Sequence, residues 1–397
     1  MVTRILHIIP TLVRGGAEKQ LMLLAPNLPS DRYDVHVCAL TSGGPYQQTL
    51  EAHGIPVHIV GKTWKVDPWA YGCLRRHIRR LGPDIVHTWI FAANSYGRQA
   101  ALSCGVPRLV AGERSIDLWK NSLQFAIDRH LARRSQAIVV PSAGVRDFYV
   151  RHGLPQQKFH VIANGISLDE SWNGPSRDEL LASINVPASA RLIGVVARLW
   201  PQKRLKDAIW AGELVSAVHQ NVHVVLLGDG PERWRLERFC RQVHLDGRIH
   251  FLGHREDASS FFPHFDCLWL TSAYEGLPNA IMEAMAAGIP VVATDISGNR
   301  DLVVSGETGY LVPLGDRAAL ARQTNQLLQD EPLRQKLGRA GNRRVRDHFS
   351  LDQMVQDYDE LYQKLLIGGT TIEKNEEIPN NAWTGERARG KGSGLEF

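Results

Sequence analysis

Short apolar runs separated by helix-length stretches recur along almost the whole chain, and this alternation constrains the fold more than any other feature. Runs at Arg4–Pro10, Asp34–Leu40, Val57–Val60, Asp84–Trp89, Arg108–Glu113, Gln136–Pro141 and Phe159–Ala163 read as strands. Helical patterns fill the gaps at Ala17–Leu28, Pro45–His53, Pro68–Leu81, Ala92–Ser103, Asp117–Ser135 and Ala143–His152. Strands that return through helices rather than hairpins pair in parallel, with helices on both faces of the sheet. The polar stretch Gly165 to Pro187, with Asn173-Gly174-Pro175, reads as a linker over 167–190. A second series follows, with strands at Leu192–Ala197, Val222–Gly228, Ile249–Leu252, Cys267–Thr271 and Pro290–Thr294. Its helices fall at Leu205–His219, Glu232–Val243, Ala258–Phe265, Asn279–Ala287, Ala318–Leu328, Leu333–His348 and Gln353–Leu366. At 397 residues the chain exceeds one ordinary core. The reading is α/β, with doubly wound domains over 1–166 and 191–350 facing one another across a cleft. Ligands then bind at the carboxyl ends of the strands, in loops that open onto it.

Composition narrows the functional classes. No apolar run approaches the roughly 20 residues that span a bilayer, and no secretory leader pattern is present. Five scattered cysteines, without a C-x-x-C pair, fit a reducing cytosol and argue against a structural metal site. The net charge of +5 is unevenly spread. Residues 1–166 hold 20 Lys and Arg against 10 Asp and Glu, so the first half is expected to meet something anionic. From Gly368 to Phe397 hydrophobic periodicity is lost, and the segment 368–397 reads as a disordered tail.

The most specific local pattern runs from Tyr274 to Gly288. Glu275 stands at the end of an apolar strand, Gly276-Leu277-Pro278 makes a turn, and a helix opening at Asn279 carries Glu283 one turn in. Asn279 suits an N-cap and Gly288 a stop. The free N–H groups of such a helix start bind anions, and a carboxylate one turn further on pairs with hydroxyls, so a phosphate-plus-polyol ligand fits. Gly15-Gly16 follows the first strand and allows close backbone approach to a ligand, or simply makes a tight turn. Arg198 ends a buried strand and Lys203 follows five residues on, both placed to reach a diphosphate or to serve as solvated loop charges. Gly228-Asp229-Gly230-Pro231 is a turn after another strand. Asp357-Tyr358-Asp359 imitates an Asp-x-Asp metal motif, but mid-helix its carboxylates diverge. With no other cluster at ligand spacing, metal-independent chemistry is expected.

Taken together, these segments resemble the retaining glycosyltransferases of family 4, whose Glu-x7-Glu signature Glu275 and Glu283 match. The resemblance covers residues 4–366 and is strongest from Leu192 to Pro313. It implies the GT-B fold of two Rossmann-like domains, with a helix over 353–366 crossing back to the first. It also implies sugar transfer from a nucleotide-sugar donor (UDP- or GDP-sugar) to a glycan or lipid-linked acceptor in cell-surface polysaccharide assembly. By resemblance, Arg198 and Lys203 contact the donor diphosphate, Glu283 the ribose and Glu275 the donor sugar. Gly15, Gly16, Gly228, Gly276, Leu277, Pro278 and Asn279 complete the donor site. His87 matches the first histidine of a family His-x-His pattern in which Trp89 replaces the second, and a lone histidine at a strand end is more often structural. Asn94 and Arg114 are acceptor-side candidates. Arg204 stands where the family usually has glycine.

An epimerase or phosphorylase on the same fold, and a non-catalytic nucleotide-sugar-binding protein, stay open at this point. The segment Lys62 to Arg80 interleaves Trp64, Trp69 and Tyr71 with six Lys and Arg, suiting either an anionic membrane surface or a solvated helix face. No nucleic-acid motif accompanies the charge. The expected setting is the cytoplasm, with peripheral contact at the inner membrane face.

Overall fold

The computed structural model describes residues 2–168 and 174–367. The tail expected at 368–397 lies outside the described residues. Two parallel sheets are present. The first contains Thr3–Thr11 (β1), Tyr33–Ser42 (β2), Val57–Ile59 (β3), Ile85–Trp89 (β4), Arg108–Gly112 (β5), Ala137–Val140 (β6) and Phe159–Val161 (β7), in the order β3-β2-β1-β4-β5-β6-β7. The second contains Arg191–Val196 (β8), Val222–Leu227 (β9), Ile249–Gly253 (β10), Cys267–Leu270 (β11), Val291–Thr294 (β12) and Gly309–Val312 (β13), in the order β10-β9-β8-β11-β12-β13. In each sheet the order reverses beside its first strand, opening a crevice at the carboxyl ends where β1 meets β4 and β8 meets β11.

Burial explains the parallel arrangement. Ile5, Leu6, Ile8 and Ile9 of β1 are all fully buried, so both faces of that strand lie under helices. One face packs against Leu74, Ile78 and Ala100. The other packs against Met354, Tyr358, Leu361 and Tyr362 of the helix Leu351–Ile367, which thus completes the first domain's core from the far end of the chain. The two connections between the domains meet where Ile166 N–H donates to Phe349 O at 3.0 Å and Leu351 N–H donates to Ile166 O at 3.0 Å.

Three segments differ from the sequence reading. The polar stretch read as linker holds a helix at Arg177–Ser183, begun by a capping box between Ser176 and Glu179. Its Leu180 and Leu181 are buried in the second domain's core. The helix expected over Asp117–Ser135 begins only at Ser122, capped by Asn121 and Gln124, which leaves 113–121 as a loop. Strand β13 is only four residues long at a sheet edge, too short to stand out as a periodic run.

Candidate functional site

The carboxyl ends of β1, β8 and β11 bring most of the predicted residues to one place. Gly15 is the N-cap of the helix Gly16–Leu24 and has extended backbone, with Glu18 folded back beneath it. A Cβ on Gly15 would stand 2.2 Å from a Glu18 carboxylate oxygen, so any other residue here would push the Glu18 side chain out of its present place. Thr11 Oγ1 donates to Glu18 Oε1 at 3.3 Å. Burial raises the Glu18 carboxyl above its ordinary value, opposed by its own backbone N–H and by the Arg198 guanidinium facing it.

From the second domain, β11 delivers Glu275, whose Oε1 accepts from Ser272 Oγ at 2.6 Å and from Lys203 Nζ. Glu275 is only 8% exposed, so this carboxylate is held rather than solvated. The Lys203 loop is laced to the end of β11: Thr271 Oγ1 donates to Lys203 O at 2.8 Å, Gln202 Nε2 to Tyr274 O at 2.7 Å, and Ala273 N–H to Gln202 O at 2.9 Å. Arg204 takes the left-handed conformation, φ 49°, that explains why glycine is comfortable here. The guanidinium is tied down by an ion pair to Asp207 at 2.7 Å. Gly228 has φ 135°, and a Cβ there would stand 1.9 Å from Ala197 O, so the ends of β8 and β9 approach closely beside Arg198.

The helix Asn279–Ala286 is capped by Pro278 with no side-chain bond, which corrects the expectation that Asn279 is the N-cap. Asn279 is the first helical residue, and its side chain reaches across the cleft. Its Oδ1 accepts from Asn164 Nδ2 at 2.9 Å and from Gln20 Nε2 at 3.2 Å, and its Nδ2 donates to Gly16 O at 3.3 Å. Glu283, on the same helix, pairs with Lys19 of the first domain at 2.7 Å. Leu277 O accepts from Asn164 Nδ2 at 2.8 Å, and Gly276 O from Ser142 Oγ at 2.8 Å. A Cβ on Gly276 would lie 2.1 Å from Arg114 O, so the two domains touch backbone to side-chain position there. The Arg114 guanidinium lies over the Trp89 ring at 5.3 Å and bonds Asn164 and the Tyr358 hydroxyl.

Two candidates are not at the cleft. His87 is fully buried, its Nδ1 bonded to the Tyr362 hydroxyl at 2.7 Å and its ring stacked on Trp89 at 4.9 Å. Burial, with His7 and Arg114 nearby, holds its pKa well below the ordinary histidine value. A neutral ring under the Leu351–Ile367 helix packs the core and has no surface open to the cleft. Asn94 is also fully buried: it accepts from Thr88 Oγ1 at 2.7 Å and donates to Gly112 O at 2.9 Å, tying β4 to β5. Beside them Ile90 is held at φ 58°, a costly conformation for a β-branched residue, and it turns the chain sharply from β4 into the helix Ile90–Ser103.

Sequence reasoning passed over Lys19, Gln20, Ser142 and Ser272, and gave Asn164 no chemistry. Only the fold shows that these polar residues converge, since nothing in their spacing does. Among the described residues, no group of three His, Cys, Asp or Glu side chains is placed to hold a metal ion.

Two facing domains of this kind, with a glycine loop from one and a carboxylate-bearing helix start from the other, define the GT-B class of glycosyltransferase fold. HepE of Anabaena with bound UDP-glucose has the same fold, with a TM-score of 0.81 at 23% identity over 91% of this chain and 99% of that one. So does sucrose-phosphate synthase of Thermosynechococcus elongatus, with a TM-score of 0.75 at 19% identity over 92% and 99% of the two chains. Residues 14–170 match Glycosyltransferase Family 4, and residues 176–344 match Glycosyl transferases group 1. The chain belongs to that family. N-acetyl-alpha-D-glucosaminyl L-malate synthase of Bacillus anthracis is 28% identical over 47% of this chain and 49% of its own length. The lipopolysaccharide core glycosyltransferase LpsE of Rhizobium meliloti is 31% identical over 45% and 52%. The match thus spans about half the length of these two relatives. An Escherichia coli UDP-Gal:alpha-D-GlcNAc-diphosphoundecaprenol alpha-1,3-galactosyltransferase is 24% identical over 86% and 91%.

Proposed function

We propose that this protein transfers a sugar from a UDP- or GDP-sugar to a glycan or lipid-linked acceptor, with retention at the anomeric carbon, in cell-surface polysaccharide assembly. The observation that carries the reading is the arrangement of Glu275 and Glu283 on either side of an uncapped helix start, with Lys203, Arg198 and the Gly15-Gly16 turn around it. Breaking the bond from sugar to phosphate builds negative charge on the leaving diphosphate. Arg198, Lys203 and the N–H groups at Asn279 and Ala280 oppose that charge, each charge-assisted contact supplying ~1.5–3 kcal/mol. Glu283 exchanges its Lys19 partner for ribose hydroxyls, and Glu275 holds the donor sugar. The acceptor hydroxyl attacks the face from which the diphosphate departs. Its oxygen bonds the anomeric carbon as the carbon–phosphate-oxygen bond breaks, and its proton passes to the leaving phosphate oxygen.

Relatives support the setting: one is named a capsular polysaccharide biosynthesis glycosyltransferase of Staphylococcus aureus, and others act with UDP-Gal or GDP-mannose. No helix among the described residues is long and apolar enough to cross a membrane. Peripheral contact with an anionic inner-membrane face, through the basic helix Pro68–Leu81, is part of the proposal.

A thermal-shift panel of UDP-, GDP- and ADP-sugars tests it, with Glu283→Ala as the control. Stabilisation by one donor, lost in the variant, is expected. No shift with any donor would sink the residue roles.

A further inference from the structure

The chain leaves the first domain at Asn164-Gly165, and a buried amide ties this exit to a helix start in the second domain. Gln20, on the helix Gly16–Leu24, is 1% exposed. Its carboxamide pairs with Gly165 on both sides, as a neighbouring strand would. Gly165 N–H donates to Gln20 Oε1 at 2.9 Å, and Gln20 Nε2 donates to Gly165 O at 3.0 Å. The same Nε2 donates to Asn279 Oδ1 at 3.2 Å, so the side chain satisfies both of its functions inside the protein. Only Asn and Gln carry such a set, an acceptor oxygen and two N–H donors on one planar group.

The two partners lie on either side of the joint between the domains. Gly165 precedes Ile166, which bonds Phe349 and Leu351 where the two connections meet. A Cβ on Gly165 would stand 3.0 Å from Leu351 Cα, and Gly165 N–H also meets Met354 Sδ at 3.1 Å. The exit therefore lies directly on the returning helix Leu351–Ile367. Asn279 opens the helix Asn279–Ala286, and its Nδ2 donates to Gly16 O in the glycine turn at 3.3 Å. Asn164 Nδ2 completes the cluster by donating to Asn279 Oδ1 at 2.9 Å. This fixes the Asn279 amide in one orientation, since turning it over would set its NH2 against two other donors. The ion pairs Lys19–Glu283 and Arg14–Glu256 also cross the cleft from this helix and its loop, but water reaches both. Pairs open to water constrain weakly, whereas a buried amide stripped of its partners is costly. The Gln20 cluster is therefore the part of this contact that resists opening.

We infer that Gln20 is a positioning residue: through Gly165 and Asn279 it sets the angle at which the two domains close. In doing so it aligns the Gly15-Gly16 turn with the start of the helix Asn279–Ala286. The closure follows from these bonds alone, and its effect on turnover rests on the glycosyl-transfer reading.

Gln20→Met tests this, because it keeps the length and unbranched stem of the side chain while removing both hydrogen-bonding functions. Small-angle X-ray scattering of the full chain without donor should give the variant a larger radius of gyration than the wild type. Arg198, Lys203, Glu275 and Glu283 all lie in the second domain, so the thermal shift from the nucleotide sugar that stabilises the wild type should survive. Release of nucleoside diphosphate from that sugar, with water as acceptor, should fall by roughly tenfold or more. Asn279→Ala, at a half-buried position, should expand the chain in the same way. The double variant should expand and slow no further than the poorer of the two single ones. Unchanged scattering in both single variants would overturn the inference, as would losses that multiply in the double variant. Loss of the donor shift together with a lowered melting temperature would make Gln20 a packing residue, which overturns it equally. A wild type that no nucleotide sugar stabilises would instead remove the glycosyl-transfer reading, while the scattering comparison still decides the closure.

Discussion

Replacing Gly276 with alanine tests whether the two domains meet as tightly as their backbones suggest. The new methyl carbon would stand 2.1 Å from Arg114 O and 3.0 Å from its carbonyl carbon. Ordinary contact begins near 3.4 Å, so one partner must retreat by about 1.3 Å. Arg114 is poorly placed to yield, because its guanidinium is held over Trp89 and bonded to Asn164 and Tyr358. The cleft must open on that side, carrying Glu275 away from the first domain. Overpacking of this size costs about 1–3 kcal/mol, or a few degrees in melting temperature. The displacement matters more for catalysis, where about 1 Å of misplacement lowers turnover on the order of 100-fold. Gly72→Ala is the matched control. It lies mid-helix with nothing within 4 Å, and the substitution should stabilise the protein by about 0.5–1 kcal/mol. Melting curves and transfer rates on both variants decide the matter. Wild-type turnover and melting temperature in Gly276→Ala would show that the interdomain contact gives way freely and does not set the position of Glu275.

Three further predictions follow from the same geometry. Lys203→Ala leaves the buried Glu275 carboxylate with Ser272 alone, so turnover should fall by roughly 10²–10³-fold; a fall in melting temperature with unchanged turnover would make Lys203 structural. His7, pushed down to about 3 by burial, binds its proton only in the unfolded chain between that value and about 6.5. Its contribution is whole above pH 6.5 and is lost as pH falls, about 2 kcal/mol at pH 5. Asp128, raised to about 6 by burial and by Glu113 beside it, acts in the opposite sense over the same window. Denaturant titrations of wild type and His7→Gln at pH 7.5 and 5 isolate this contribution: the wild type should lose about 2 kcal/mol more than the variant on acidification, and an equal loss in both would mean that His7 reaches water. Finally, removing residues 351–367 uncovers Ile5, Ile9 and Trp89, so the shortened chain should bind a hydrophobic dye and lose the protease resistance of its first domain; retained resistance would show that the domain closes its core without that helix.

Most strands were legible because buried parallel strands are continuous apolar runs, as in β1, β4 and β11. Strand β13 was not, since four residues at an edge, two of them half-buried, leave no period to read. The helix Arg177–Ser183 hid inside a polar stretch, although its capping pair Ser176 and Glu179 was visible in the sequence. That Gly15, Lys203, Glu275 and Glu283 gather at one cleft was legible, because glycines and carboxylates at strand ends fall where loops open onto it. His87 misled for the same reason. It also sits near a strand end, but the Leu351–Ile367 helix covers it, and only the tertiary arrangement reveals that cover. Gln20 was invisible and Asn164 could be given no chemistry, because their partner, Asn279, is more than a hundred residues distant in the chain.

The placement of the Leu351–Ile367 helix bears on the order in which the molecule is made. Strand β7 ends at Val161, and Leu351 follows it by 190 residues. A nascent chain that has already emerged through β7 still lacks the tyrosines and leucine that roof β1 and β4. The second domain suffers no such delay, because its cores draw almost entirely on residues between Ile166 and Phe349. The domain synthesised second is thus the first able to close, and the domain synthesised first must wait for the return of the chain.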